Sequence, residues 1–371
     1  MILYLDFHYR GRVLISALDH MAKQVGTQVL ALMNHQSEID WIKKQCLSNV
    51  LILDVRERFR DQDLKHVKFS SAESLMLRRF ILADRRLREM KKDKRDVYIK
   101  NWYVLLERLC KENDFSFCVG EPTWFNELYT FYKLEQQGVL CVEPSPNRFD
   151  PSRFNFLTGR TEFSIVETKQ NHKGKNSIAW SHTVQDSIRN FDDNPILKIN
   201  RNSTNFRVKY LSDAWKMYKL AYATQRNEYI HKHAVPAFAD KLRSTFFRKY
   251  HAYWLEQHAS VPLGSSSYVF YPLHLQPERS IDVMGTNYSH TLEVIRQIAL
   301  NWPFKEIYVK EHPTAIGKRS TKFYKELINI PGVKLIKPSI KAKELFKRAS
   351  FVYSISGTIL MEASVLGVCA G

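Results

Sequence analysis

A run of small and hydroxyl-bearing residues, Ser354-Ile355-Ser356-Gly357-Thr358, stands between an apolar strand pattern and an apolar helix pattern. Hydroxyls and backbone N–H groups at the start of a helix bind anions, because these N–H groups lack partners and the helix dipole is positive there. The turn predicts a site for a nucleotide phosphate. Glu362, one helical turn beyond Thr358, is placed to accept hydrogen bonds from ribose hydroxyls. Ser356 or Thr358 would also serve an ordinary helix N-cap, and the turn alone leaves both interpretations open.

A histidine–proline pair follows a second strand pattern, in the sequence Lys310-Glu311-His312-Pro313, and all four residues are candidate contacts of a bound nucleotide. An imidazole at a strand end can donate to a phosphate or ribose oxygen, and Pro313 rigidifies the turn. Lys310 adds a positive charge that would neutralise a leaving phosphate. The same pair is also typical of a turn that starts a helix.

A third segment, residues 271–278, follows the first strand pattern of the same half of the chain and carries His274, Gln276 and Glu278 at alternating positions. This alternation predicts that the three side chains lie on one side of the loop. Since ligands of open α/β sheets bind at the carboxyl ends of the strands, the three segments together favour a nucleotide site.

The first half of the chain offers one carboxylate in a comparable position, Glu121 in Gly120-Glu121-Pro122. A carboxylate at a strand end can act as a base or a nucleophile, so Glu121 is the candidate for that role. An ordinary helix-start carboxylate before Pro122 is the alternative. No Asp-x-Asp pair suited to a divalent cation stands out, so we expect neither a metal nor a cofactor beyond the sugar donor.

Two stretches of alternating strand and helix patterns must position these residues, and they predict a doubly wound α/β fold. Short, continuously apolar strands suit parallel sheets that are buried on both faces. In the second half the predicted elements are strands 268–271, 306–310, 333–336 and 351–354 and helices 291–301, 320–329, 341–348 and 358–366. We predict an N-terminal Rossmann-like domain over 1–150, a helical extension over 151–262 and a C-terminal nucleotide-sugar domain over 263–371.

The formal net charge of +18 calls for an anionic partner. Much of the excess lies in residues 78–95, predicted to form one amphipathic basic helix that is either simply solvated or docks on an anionic inner-membrane surface. Nucleic acid is not expected, because no nucleic-acid-binding motif accompanies the charge. Five cysteines without CxxC spacing, no membrane-spanning apolar run and no signal peptide favour a cytoplasmic protein, with Cys118 and Cys141 as small core residues.

Several blocks of the sequence together resemble the capsule polysaccharide biosynthesis proteins, a family similar to the bacterial β-Kdo transferases. The blocks are "VGEPTWFNELYTFYKLEQQGV", "PSPNRFDPSRFNF", "YPLHLQPERSID", "YVKEHPTAIGKR", "FYKELINIPGVKLI" and "SISGTILMEASVLG". The sequence departs from the family at Ser289-His290, where an Asp-Gln pair is usual. It also departs at Gly367-Val368-Cys369, where the family continues into a further strand, which predicts that the chain is a fragment.

The resemblance implies a GT-B fold, in which two Rossmann-type domains face a cleft and the C-terminal one holds the donor. It assigns donor binding to His312-Pro313 and to Ser354, Ser356 and Thr358, and the family's Gly-Glu carboxylate to Glu121. We therefore expect a metal-independent glycosyltransferase that moves Kdo or a similar acidic sugar from a CMP donor to a lipid-linked or oligosaccharide acceptor. A sugar-nucleotide 2-epimerase and a non-catalytic, membrane-docked scaffold of polysaccharide export are the alternatives.

Overall fold

The computed structural model describes residues 1–5, 11–59, 63–146, 154–159, 164–165, 247–261, 267–276 and 278–371. The chain divides into two compact units. Unit 1 comprises Met1–Asn171 with Thr224–His231, and unit 2 comprises His172–Ala223 with Lys232–Gly371. Most of the predicted helical extension over 151–262 lies outside the described residues, and the three predicted domain boundaries stay predictions.

Unit 1 is built on a seven-stranded sheet in the order β3-β2-β1-β4-β5-β6-β7. The first five strands are parallel, and the last two add in antiparallel fashion. The strands are β1 (Ile2–Leu5), β2 (Val29–Met33), β3 (Val50–Asp54), β4 (Phe117–Val119), β5 (Leu140–Pro146), β6 (Phe154–Thr158) and β7 (Ser164–Ile165). The helices are α1 (Gly11–Val25), α2 (Gln36–Gln45), α3 (Val55–Arg58), α4 (Ser71–Ala83), α5 (Lys92–Glu112) and α6 (Phe125–Glu135).

Strands β1 and β2 of unit 1 are continuously apolar in sequence because they lie in its core. Every residue of β1 and β2 is buried, because helices cover the sheet. Ile2 and Tyr4 pack in one cluster with Ile15 and Leu18 of α1. Cys118 and Cys141 are buried and carry free thiols, as predicted.

Unit 2 contains a parallel four-stranded sheet in the order β10-β9-β8-β11. The strands are β8 (Tyr268–Pro272), β9 (Glu306–Lys310), β10 (Val333–Ile336) and β11 (Phe351–Val352). The helices are α7 (Thr291–Asn301), α8 (Thr321–Ile328), α9 (Ala342–Phe346) and α10 (Thr358–Val365). Helical residues 247–258 and short turns at Ser280–Met284, Thr286–Tyr288 and Pro313–Ala315 complete the unit. Beside β11, the Val352 N–H donates to the Cys369 carbonyl at 2.9 Å.

Alternate residues of β8 enter two different cores, so helices cover both faces of the sheet. Val269 and Tyr271 pack with residues of α7, α8 and the 247–258 helix. Tyr268 and Phe270 pack with residues of α9 and α10. The predicted α/β class, with two Rossmann-like units, is confirmed.

Both units share one topological feature that matters for binding. In each sheet the first strand lies between the second and the fourth strand. The chain therefore adds strands first on one side of the first strand and then on its other side. In unit 1 this switch point lies between β1 and β4, and in unit 2 between β8 and β11. Open α/β sheets bind ligands at the carboxyl side of this point.

The predicted single basic helix over residues 78–95 is wrong. Helix α4 ends at Ala83, α5 begins at Lys92, and a turn separates them. The Asp84 carboxylate explains the break, because it accepts hydrogen bonds from the N–H groups of Arg86 at 2.8 Å and Leu87 at 3.0 Å. Throughout the described ranges, no helix combines the length and apolarity that crossing a bilayer requires.

Candidate nucleotide-binding site

The carboxyl edge of the unit 2 sheet brings His274, which follows β8, against the turn that follows β11. His274 Nε2 accepts a hydrogen bond from the backbone N–H of Ile355 at 3.1 Å and lies 3.4 Å from Ser354 Oγ. Burial, reinforced by the positive charge of Arg319, lowers the pKa of His274 to about 4. The ring is therefore neutral at pH 7, and because Nε2 accepts, the remaining proton is assigned to Nδ1.

The hydroxyl turn after β11 leaves the start of α10 open. Gly357, the residue before the helix, has a φ of 120°, a conformation that L side chains rarely adopt, and a Cβ placed there would meet no atom within 4 Å. The first turn of α10 contains no acidic residue. Unpaired helix N–H groups beside open space form a favourable environment for an anion.

Two serines of this turn differ in how their hydroxyls are used. Ser354 Oγ donates to the carbonyl of Ser356 at 2.7 Å, which closes the turn. Ser356 Oγ is buried and has no hydrogen-bond partner in the described part of the chain. A buried hydroxyl without a partner costs stability, so Ser356 is the residue here that an incoming oxygen acceptor would satisfy.

His312, which follows β9, is the second imidazole of this edge. Its Nδ1 accepts from Thr314 N–H at 3.3 Å and lies 2.8 Å from Thr314 Oγ1, so the proton of the neutral ring is assigned to Nε2. Burial lowers the pKa of His312, and the charges of Arg319, Lys318 and Lys310 add to this effect. His312 Nε2–H is therefore a neutral donor.

The buried carboxylate of Glu311 connects several residues of this edge by hydrogen bonds. Its side chain is fully buried, and Oε1 accepts from His312 N–H at 2.7 Å and from Arg319 Nη1 at 2.6 Å. Its Oε2 accepts from the Tyr324 hydroxyl at 2.8 Å. Because both carboxylate oxygens face these protein donors, the structure gives Glu311 a positioning environment in place of the ligand contact that we predicted.

Arg319 is the functional residue that the sequence analysis missed. Besides its ion pair with Glu311, its Nη2 donates to the backbone carbonyl of His274 at 2.5 Å. One guanidinium thus joins the loop after β8 to the loop after β9, and so joins the two imidazoles. Its position directly before the α8 N-cap, Ser320, was the one available signal.

Lys310 and Pro313 both use their polar groups locally. Lys310 is buried, and its Nζ donates to the Pro338 carbonyl at 3.0 Å. Burial lowers the pKa of Lys310 to about 8, so it still carries most of its positive charge at pH 7. Pro313 starts the short helical turn after His312, and its carbonyl accepts from Arg248 at 3.4 Å.

The loop after β8 does not place its three predicted side chains on one side. Gln276 Nε2 donates to the Ser289 carbonyl at 2.9 Å, and its Oε1 accepts from Thr291 Oγ1 at 3.1 Å. Glu278 is exposed, whereas His274 faces the hydroxyl turn. The alternation failed because the loop leaves the extended conformation after Pro272. Glu362 lies one turn into α10 and is partly exposed.

Glu121 lies in unit 1, at the carboxyl end of β4. Thr123 Oγ1 donates to Glu121 Oε1 at 3.3 Å, and the residue is partly buried. The preceding Gly120 is required for packing, because a Cβ there would lie 2.9 Å from Leu5 Cδ1 and 3.0 Å from Phe131 Cε1. Glu121 thus follows a strand, as the sequence predicts, and the strand order places that strand end at the switch point of its sheet.

The unit 2 edge therefore combines the positive charge of Lys310 with neutral N–H donors on His274 and His312 and with an uncapped helix start, while Glu311 balances the charge of Arg319. Such a set can bind a phosphate by charge and by directed hydrogen bonds. Among the residues that the structure describes, no three His, Cys, Asp or Glu side chains are grouped to hold a metal ion.

The solved structures that are similar to this chain include three enzymes of different kinds. The UDP-GlcNAc 2-epimerase from Methanocaldococcus jannaschii is 11% identical, with 100% of this chain and 83% of that chain covered and a TM-score of 0.24. The β-Kdo 2,7 transferase KpsC of Thermosulfurimonas dismutans is 12% identical, with 82% and 75% covered and a TM-score of 0.31. The glycotransferase of kitacinnamycin is 9% identical, with 100% and 79% covered and a TM-score of 0.22.

No protein-family model matches the chain, and no curated protein does. The similar structures include both glycosyltransferases and sugar-nucleotide epimerases. Identities and scores of this size do not choose between those activities, so the function is argued below from the residues of this chain.

Proposed function

We propose that the chain is a glycosyltransferase that binds a nucleotide-sugar donor at the carboxyl edge of the unit 2 sheet. The observation that carries the proposal is the start of α10. There Gly357 leaves backbone N–H groups open, Ser356 offers a buried hydroxyl, and His274 holds the turn through Ile355 N–H. All three features suit a phosphate at a helix N-terminus.

The imidazole of His312 supports the same assignment. Its Nε2–H is a neutral donor, so it can bind a phosphate or ribose oxygen without requiring a proton from solvent. The charge of Lys310 favours the negative charge that develops on a leaving phosphate. We therefore propose donor binding for His274, His312, Ser354, Ser356, Gly357 and Thr358, with Glu362 for the ribose.

The finer parts of the proposal rest on the sequence resemblance. These are the CMP-linked acidic sugar such as Kdo, a lipid-linked or oligosaccharide acceptor in capsule or surface polysaccharide synthesis, and the absence of a metal. Glu121 is our proposed base or nucleophile, because it is the carboxylate at the switch point of unit 1. Peripheral contact with an anionic inner-membrane surface belongs to the same set of proposals.

Calorimetry with CMP, UDP and GDP tests the donor site on the wild-type chain and on three variants. Ser356→Ala removes a buried hydroxyl that has no protein partner, so we expect an unchanged free energy of unfolding together with a roughly 2- to 10-fold loss of nucleotide affinity. His312→Ala should weaken the same nucleotide at least as much. His66→Ala, an exposed histidine of unit 1, is the matched control and should bind as the wild type does.

Selective CMP binding that both site variants weaken would support an acidic-sugar transferase. A preference for UDP would move the donor assignment and favour the epimerase, which isotope exchange into the sugar without any acceptor would then test. If Ser356→Ala binds the nucleotide as tightly as the wild type does, the site is not the one proposed. If no nucleotide binds to the wild type, the scaffold interpretation takes the place of the transferase.

A further inference from the structure

Two arginines of unit 1 converge on one aromatic ring at the start of α6. The guanidinium carbons of Arg85 and Arg86 lie 4.2 Å and 4.8 Å from the centroid of the Trp124 ring. All three side chains are half-buried, so a small ligand can reach them. Trp124 follows the Gly120-Glu121-Pro122 segment, at the carboxyl side of β4 where this type of sheet binds ligands.

The turn that carries the arginines is fixed onto α6 before any ligand arrives. Buried Asp84 accepts from Phe125 N–H at 2.9 Å through Oδ2, and from the N–H groups of Arg86 and Leu87 through Oδ1. The Asp84 carbonyl accepts a further bond from Arg88 N–H at 3.1 Å. The positions of Arg85 and Arg86 over the ring are therefore preorganised, which reduces the entropic cost of binding.

The nearby carboxylates are occupied by backbone donors. Asp84 makes the three bonds given above, and Glu127 Oε2 accepts from Thr123 N–H at 3.0 Å and Trp124 N–H at 2.8 Å. No carboxylate in the described part of the chain forms an ion pair with the Arg86 guanidinium. Burial lowers the pKa of Arg86, and the charge of Arg85 adds to the effect while Asp84 opposes it.

The Arg86 guanidinium is half-buried beside a second cation, and no carboxylate of the described residues forms an ion pair with it. Such an arrangement is costly unless an anion completes it. The planar guanidinium fork matches the oxygens of a phosphate through paired, charge-assisted hydrogen bonds.

We propose that Arg85 and Arg86, held over Trp124, bind a phosphate group in unit 1. In the proposed transferase this phosphate belongs to the acceptor, and only that last assignment rests on the proposed function. The site differs from a helix N-terminal phosphate site, because the first N–H groups of α6 are already bound to Asp84 and Glu127.

Hydrogen exchange measured by mass spectrometry on the full chain, with inorganic pyrophosphate as the probe, tests this site and locates it. We expect pyrophosphate to slow exchange in residues 84–90 and 121–128 of the wild type. Arg86→Gln should weaken pyrophosphate binding about 10- to 100-fold, which is the value of a charged hydrogen bond. Arg78→Gln, an exposed arginine of α4, makes the same change in charge and should bind as the wild type does.

Arg86→Lys is the second variant, since it keeps the charge but not the planar fork, and it should fall between the wild type and Arg86→Gln. Equal protection in the wild type and in Arg86→Gln would overturn the proposal. Protection confined to residues 354–358 would also overturn it, while leaving the nucleotide site of unit 2 intact. Protection at 84–90 without nucleotide binding in unit 2 would instead support this site and contradict the proposed function.

Two sources can supply the phosphate, and a further arm of the experiment distinguishes them. Soluble glycerol 3-phosphate and vesicles of phosphatidylglycerol are compared as ligands, with vesicles of phosphatidylcholine as the control. If the wild type and Arg78→Gln sediment with phosphatidylglycerol vesicles and Arg86→Gln does not, the phosphate belongs to a lipid headgroup. Protection by glycerol 3-phosphate without vesicle binding would assign a soluble phosphate.

Discussion

The two Rossmann-like sheets have the same order in their first four strands. They differ at the start of the helix that follows the fourth strand, which is capped by carboxylates in unit 1 and uncapped in unit 2. In unit 1 the start of α6 is closed by two carboxylates, Asp84 and Glu127, which accept from Thr123, Trp124 and Phe125 N–H groups. In unit 2 the start of α10 has no acidic residue in its first turn and is preceded by Gly357.

This difference teaches where an anion can bind in each unit. A carboxylate at a helix start occupies the place that a ligand phosphate would take. At the start of α6, unit 1 can therefore recognise an anion through side chains such as Arg86, whereas unit 2 can use the backbone of α10. The strand order determines which edge of a sheet binds ligands, and the residues at that edge determine which groups contact the anion.

The largest expected effect compares the ion pair at the unit 2 edge with an ion pair of unit 1. The Arg319 and Glu311 side chains are 10% and 0% exposed, whereas Arg12, which pairs with Glu38 in unit 1, is 40% exposed. Arg319→Ala leaves the Glu311 charge buried and should lower the free energy of unfolding by about 3–5 kcal/mol. Arg12→Ala should lower it by less, because water screens the Arg12 side of that pair, even though Glu38 is only 10% exposed.

Urea unfolding of the two variants measures both values. Hydrogen exchange in β8 and β1 then assigns each loss to its own unit. Equal losses in Arg319→Ala and Arg12→Ala would contradict the view that a buried ion pair organises only the unit 2 edge.

The second effect is the pH dependence that His274 gives to unit 2. Because burial lowers its pKa from 6.5 to about 4, the unfolded chain binds this proton more readily than the folded chain does. The free energy of unfolding should therefore fall by about 3 kcal/mol as the pH drops through that window. Burial of His312 acts in the same direction.

His274→Gln keeps an acceptor for Ile355 N–H but cannot be protonated, so its stability should depend less on pH in this range. His66→Gln, at an exposed position of unit 1, is the matched control and should follow the wild type. A slope that His274→Gln leaves unchanged would show that His274 is not the buried neutral ring described above.

The third and smallest effect compares one glycine from each edge. Gly357→Ala forces a side chain onto a φ of 120° and should cost about 1–3 kcal/mol. Gly120→Ala brings a Cβ to 2.9 Å from Leu5 Cδ1 and should cost a similar amount. Only Gly357→Ala should weaken nucleotide binding, since only this glycine borders the proposed phosphate site.

Thermal unfolding and nucleotide calorimetry on the same two samples provide the test. If Gly120→Ala weakens the nucleotide as strongly as Gly357→Ala does, the assignment of the phosphate to α10 fails.

The sequence by itself determined the elements and the positions of the candidate residues at strand ends. The predicted bounds of α7, β9 and β10 coincide with those observed, because continuous apolar runs flanked by polar turns are local signals. The α/β class and the positions of His312, Ser354 and Glu121 after their strands follow from the same signals.

Only the tertiary structure decided which of these residues meet and what they face. His274 and Ile355 are far apart in sequence and come together because β8 pairs with β11. The inward position of Glu311, the role of Arg319 and the break at Asp84 all depend on partners supplied by other segments. Such contacts leave no periodic signal in the chain, because strand order and side-chain direction are set by packing and not by neighbouring residues.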